Sequence, residues 1–277
     1  MKFNLKSLVV AAAFLAAGAA HAESFTVNEG GSLEVGGYRI SGLNGSGSLT
    51  FSQDLLDTLN LGVVEVSNYG RANSTIDGVP GGYTAVSAAA PVTSLTGSPT
   101  SASTVAIEQV GTSGGATQTL TEAGVDAGVA NGTGFITITD LRVDLVNQDV
   151  YATLIGDNGV GTLTNQKVWH FASISGPTTF DLDAIIAAGG TITVNNTLSN
   201  LQIYDEALAI LVQATNLNAD LGAPALAGVN NGTNGFGSIT SSITISVSAV
   251  PEPSAYAMMG VGLVGIGLFA RRRREVR

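Results

Sequence analysis

Three groups of residues in this sequence have types and spacings that suit chemistry. Gly111-Thr112-Ser113-Gly114-Gly115 fits the G-x-S-x-G turn that lifts a nucleophilic serine out of a sheet. His170 lies downstream, with Asp140, Asp144, Asp149 and Asp157 between them, which is the chain order of a serine hydrolase triad. Such a turn must lead into a helix, however, and Ala116 to Asn131 holds Gly124, Gly128 and Asn131 among β-favouring threonines. No catalytic residue is assigned, and the chain is read as a non-enzyme. Asp181-x-Asp183 and Asp157-Asn158-Gly159 are fragments of calcium loops, but neither completes D-x-[DN]-x-[DN]-G, so no metal site or cofactor is assigned. Gly260-Val261-Gly262-Leu263-Val264-Gly265 satisfies G-x-G-x-x-G inside an apolar run that follows no strand, where it cannot cradle a pyrophosphate.

The ends of the chain are more informative. Lys2 and Lys6 precede an apolar run from Leu8 to Ala17 and small residues ending Ala20-His21-Ala22, the three parts of a secretory signal. Cleavage after Ala22 leaves Glu23 first. At the other end Val250-Pro251-Glu252-Pro253 stands before sixteen apolar or small residues, Ala255 to Ala270, and then Arg271, Arg272, Arg273 and Arg274. The two prolines hold an extended, accessible stretch. Sixteen helical residues reach roughly 24 Å, close to a hydrocarbon core of about 30 Å, and the four arginines are held on the cytoplasmic side.

This tail resembles a PEP-CTERM sorting signal, the tripartite C-terminal tag of exported proteins in Gram-negative bacteria. The resemblance covers only residues 250–277. It implies transient contact with an exosortase in the inner membrane, loss of the tail, and delivery to the cell surface or the exopolysaccharide matrix. The domains are then a signal peptide (1–22), an exported body (23–249) and the sorting tail (250–277).

The body carries nineteen acids against four bases, so it repels nucleic acid and anionic lipid. With no cysteine it has neither disulfides nor thiolate sites. Alternation sets its fold class. Leu141, Val143 and Leu145 oppose Asp140, Arg142 and Asp144, and Ile239, Ile243, Ile245 and Val247 oppose serines and threonines, which is the signature of half-buried antiparallel strands. Further strands are expected near Leu33–Ile40, Gly47–Phe51, Val63–Ser67, Thr104–Val110, Val150–Ile155, Lys167–Ile174, Thr191–Asn195 and Leu198–Tyr204. Five Asn-Gly pairs, at Asn44, Asn131, Asn158, Asn231 and Asn234, offer tight turns.

An antiparallel β-sandwich with a few short helices follows, flanked by an N-terminal signal helix and a C-terminal transmembrane helix. The helices are Gln53–Leu59 capped by Ser52, Glu206–Thr215 capped by Asp205, and Ala184–Ala188 opened by Asp181-Leu182-Asp183. Two strand–helix turns, Ser48–Asn60 and Asn200–Val212, align 152 residues apart with Leu49/Leu201, Leu56/Leu208 and Leu59/Leu211 identical. They also resemble HtaA-type haem-binding domains in pattern, which implies His170, Tyr204 or Tyr151 as axial candidates. From Thr84 to Thr104 the composition shifts to Ala, Ser, Thr and Pro and reads as a solvated loop. Thr93, Ser94, Thr96, Ser98, Thr100, Ser101, Ser103 and Thr104 are its candidate O-glycosylation positions. The functional expectation is a structural protein of the cell surface or biofilm matrix, in contact with exopolysaccharide; the alternative is a binding module for haem or a glycan.

Overall fold

Strands form where branched and small apolar residues alternate with Ser, Thr and Asn. The computed structural model describes residues 23–250. It runs β1 (Phe25–Asn28), β2 (Ser32–Val35), β3 (Tyr38–Phe51), α1 (Gln53–Leu61), β4 (Glu65–Tyr69) and β5 (Asn73–Asp77). Next come β6 (Ala85–Pro99), β7 (Thr104–Thr112), β8 (Gly115–Leu120), α2 (Glu122–Asp126), β9 (Gly134–Asp144), β10 (Asp149–Gly156) and β11 (Gly161–Ser175). The chain closes with β12 (Thr179–Asp181), α3 (Leu182–Ala187), β13 (Thr191–Ile203), α4 (Asp205–Ala214), α5 (Gly222–Gly228) and β14 (Gly237–Ala249).

Every strand pair is antiparallel, and the strands form one continuous sheet where two facing sheets were expected. The order β7-β6-β3-β14-β13-β11-β10-β9 returns on itself, because β9 pairs with β7 through Val110 and Val143 and their neighbours. Bulges make the closure feasible, since each extra residue bends and twists its strand. Three of them fall at residues with positive φ: Gly42 in β3 (66°), Asp140 in β9 (52°) and Asn165 in β11 (54°). At Asp140 the inward parity of β9 switches from Ile136 and Ile138 to Val143.

The ring encloses two apolar cores stacked along the long strands. The first gathers Phe51, Leu198, Leu201, Ile239 and Trp169 with Leu55, Leu56 and Leu59 of α1 and Ala207, Leu211 and Ala214 of α4. The second gathers Ile40, Val92, Val194, Ile243 and Ile245 with Leu182 and Ile185 of α3. Helices thus cover both ends of the ring.

The structure corrects the expected loop at Thr84–Thr104. Ala85–Pro99 is a long strand with Val86, Ala88, Ala90 and Val92 buried on one face. Its small, polar composition suits a half-buried pleat. Pro91 sits where the neighbours of β6 change, from β5 and β3 over Ala85–Pro91 to β1 and β7 over Val92–Pro99, so its missing N–H interrupts little. Only Thr84 and the turn Thr100–Ser103 remain outside strands.

Other boundaries shift less. The two strands expected over Thr191–Tyr204 are one, β13, and Leu33–Ile40 divides at Gly36-Gly37, both with positive φ. Asn158-Gly159, with φ of 52° and 86°, makes the tight hairpin turn between β10 and β11, whereas Asn44-Gly45 lies inside β3. Ser52 caps α1 and Asp181 caps α3, but Asp205 is the first helical residue of α4 and Tyr204 holds the cap position. Helices α2 and α5, the latter built on Ala and Gly, were not anticipated. The signal peptide and the C-terminal apolar helix lie outside the described residues. Among the described residues no helix is long and apolar enough to cross a membrane.

Candidate functional site

The densest polar chemistry of the body lies on the outer face of β9, β10 and β11. Asp149 opens β10 and points away from the buried Val150; His170 likewise alternates with Trp169 and Phe171. The register sets Asp149 opposite His170, and Tyr151 opposite both Lys167 and Arg142. Two of the body's four cations and its only histidine are therefore neighbours.

Asp149 is the hub. Its side chain is only 5% exposed, yet it is fully partnered: Lys167 Nζ lies 2.8 Å from Oδ2, and the Tyr204 hydroxyl donates to Oδ1 at 2.6 Å. His170 Nδ1 stands 3.6 Å from the same oxygen. Burial pushes the Asp149 carboxyl up, but the hydrogen bonds from Lys167 and Tyr204 and the ammonium charge outweigh it and hold the group below the ordinary range. Lys167 is raised above its ordinary value, first by its hydrogen bond to Asp149. Burial, then the bond to Asp149, raises the Tyr204 phenol.

Two cation–π contacts extend the cluster into a ladder. Arg142 stacks 4.0 Å over the Tyr151 ring and donates to Asn165, and Lys167 lies 4.4 Å over the Tyr204 ring. Each cation is thus already engaged on an aromatic face or a carboxylate. The arrangement fixes the outer face of three strands and the start of α4, with the half-exposed His170 imidazole standing beside it.

The remaining candidates scatter. Ser113 links β7 to β8, strand to strand, and its N–H donates to Pro91 O, remote in the ladder from the Asp149 partner of His170. Asp157-Asn158-Gly159 is the hairpin turn and Asp181 a helix cap. Among the described residues no three His, Cys, Asp or Glu gather to hold a metal. Thr93, Ser94, Thr96 and Ser98 are half-buried strand residues, Thr100 and Ser101 are exposed in the turn, and Ser103 and Thr104 are half-buried where β7 begins. Glu23 is exposed at the start of the described residues; Ala20, Ala22, Pro251, Glu252, Pro253 and Arg271–Arg274 lie outside them. Val250 is described, and its N–H donates to Gly37 O at 2.8 Å. The roles of Lys167 and Arg142 were missed, although cations this rare on alternating strands were a usable signal.

Residues 249–274 match the PEP-CTERM protein-sorting motif. The chain carries a PEP-CTERM tag. The match begins at Ala249, the last residue of β14, so the tag starts where the ring ends. No curated protein matches the sequence. In structure the chain is similar to the heme-binding protein HtaB from Corynebacterium glutamicum, at 11% identity, with 82% of this chain and 98% of that one covered and a TM-score of 0.39. A likeness of that degree carries no argument about ligands.

Proposed function

We propose that this is a structural protein of the cell surface or exopolysaccharide matrix, exported across the inner membrane and released there by an exosortase. The single observation that carries this is the sorting motif at residues 249–274, which begins at the last residue of β14. Every residue of the two cores precedes it, the last being Val247 of β14, so removal of the tail leaves both cores whole. The body contributes attachment and display: a closed, cysteine-free sheet with Ser, Thr and Asn on its outer face and no assigned chemistry. Exopolysaccharide is the partner this surface suits.

Of the three axial candidates for haem, His170 is open, its side chain 39% exposed, whereas the two tyrosines are engaged. The Tyr204 hydroxyl is committed to Asp149 at 2.6 Å, its ring is covered by Lys167, and Arg142 covers Tyr151. The test is to replace Pro251, Glu252 and Pro253 with alanine in a host that exports the chain. The variant should stay in the inner membrane with its arginines attached while the parent reaches the surface. Identical distribution of the two would overturn the proposal.

A further inference from the structure

Between the two cores the ring has a waist lined by small residues. Ala90 of β6, Gly47 of β3, Ser241 of β14 and Asn196 of β13 are direct ladder partners and form one row across four strands. The row on one side, Ala88, Leu49, Ile239 and Leu198, belongs to the first core; on the other side Ile243 and Val194 belong to the second. Such a row leaves space, and a cavity of about 70 Å³ lies there. Its opposite wall includes Val110, Ile138, Leu145 and Trp169. No charged side chain lines it.

Trp169 supplies the polar handle. It is the only tryptophan in the chain and is 2% exposed, and its Nε1–H has no hydrogen-bond partner. A buried donor left unsatisfied is costly, and a native interior rarely keeps one without a reason. We infer that the waist cavity is a binding site for a small uncharged molecule, mostly apolar, whose one acceptor oxygen takes the Trp169 indole N–H.

Size and lining define the class. An apolar cavity of about 150 Å³ holds benzene, so about 70 Å³ takes on the order of three heavy atoms, a size that only the smallest aldehydes and ketones approach. A carboxylate or ammonium would enter without a counter-charge and is excluded by desolvation.

The single indole makes the test site-specific. In the full-length chain labelled with nitrogen-15, the Trp169 Nε1–H gives the only indole resonance, and acetone serves as the probe. Acetone should move that proton downfield along a saturable curve. Gly47→Val should weaken binding about tenfold or more, because added methyl groups occupy the space the ligand needs. Its Cβ would meet only the Thr112 methyl, at 3.4 Å, so the strand can accept it. Should that variant fail to fold by circular dichroism, Ser241→Leu narrows the same row. A linear, unsaturable shift, or the same curve in a folded filled variant, would mean that the cavity holds only water and would overturn the inference.

Discussion

The two strand–helix units, β3–α1 and β13–α4, share a template and differ in what stands at the cap. Both strands end, and both helices begin, at positions 152 residues apart: Phe51 and Ile203, then Gln53 and Asp205. Both helices finish alike as well. Val63 and Asn216 follow the caps with φ of 47° and 54°, and Val64 and Leu217 donate back to Leu59 and Val212. In the first unit Ser52 caps the helix, accepting from Leu55 N–H at 3.1 Å. In the second the same position is Tyr204, which makes no side-chain cap and instead reaches Asp149. One unit keeps its local hydrogen bond; the other gives it up to tie the helix to a polar cluster two strands away. Backbone repetition is thus compatible with entirely different side-chain duties.

The largest test of this comparison is at the paired leucines. Leu59→Ala and Leu211→Ala each empty the first core and should cost about 3 kcal/mol in denaturant unfolding, by similar amounts if the units are equivalent in packing. Asp149→Ala removes the anchor of the second unit alone and should cost about 2 kcal/mol through lost hydrogen bonds. Its pH dependence has a definite sign. The folded carboxyl lies below its ordinary value, so its contribution is full above about pH 4 and fades as acid protonates it. Asp149→Asn should therefore flatten the acid limb of the thermal-stability profile; an unchanged limb would show that the cluster contributes nothing.

Smaller effects sharpen the contrast at the caps. Ser52→Ala should cost about 1 kcal/mol in the melting curve. At the helix ends, Val63 holds a left-handed conformation that suits Asn and strains a β-branched residue. Val63→Asn should gain about 0.5 kcal/mol, and Asn216→Val should lose about 1 kcal/mol. Equal signs for the two exchanges would break the proposed equivalence of the units.

How far these features were legible depends on locality. Helix α1 was readable because Ser52 and the leucines at Leu55, Leu56 and Leu59 form a local pattern, and β14 because its alternation is strict. The Asp149 cluster was not. A straight ladder from the Asn158-Gly159 turn would set Asp149 opposite Val168; two register shifts move it opposite His170 instead. Composition also misled at β6, where Ser, Thr and Pro signify a loop in isolation but a strand once β1, β3, β5 and β7 flank it. Closure of the sheet was hidden for the same reason, since it depends on bulges at Gly42 and Asp140.

Both units, and both cores, lie upstream of the sorting motif, which makes the fate of the chain ends the decisive question. Intact-mass measurement of the protein recovered from the surface of an exporting host should find Glu23 at the start and no Arg271–Arg274 at the end. Recovery of the unprocessed chain, Met1 through Arg277, from the cytoplasm would contradict the account.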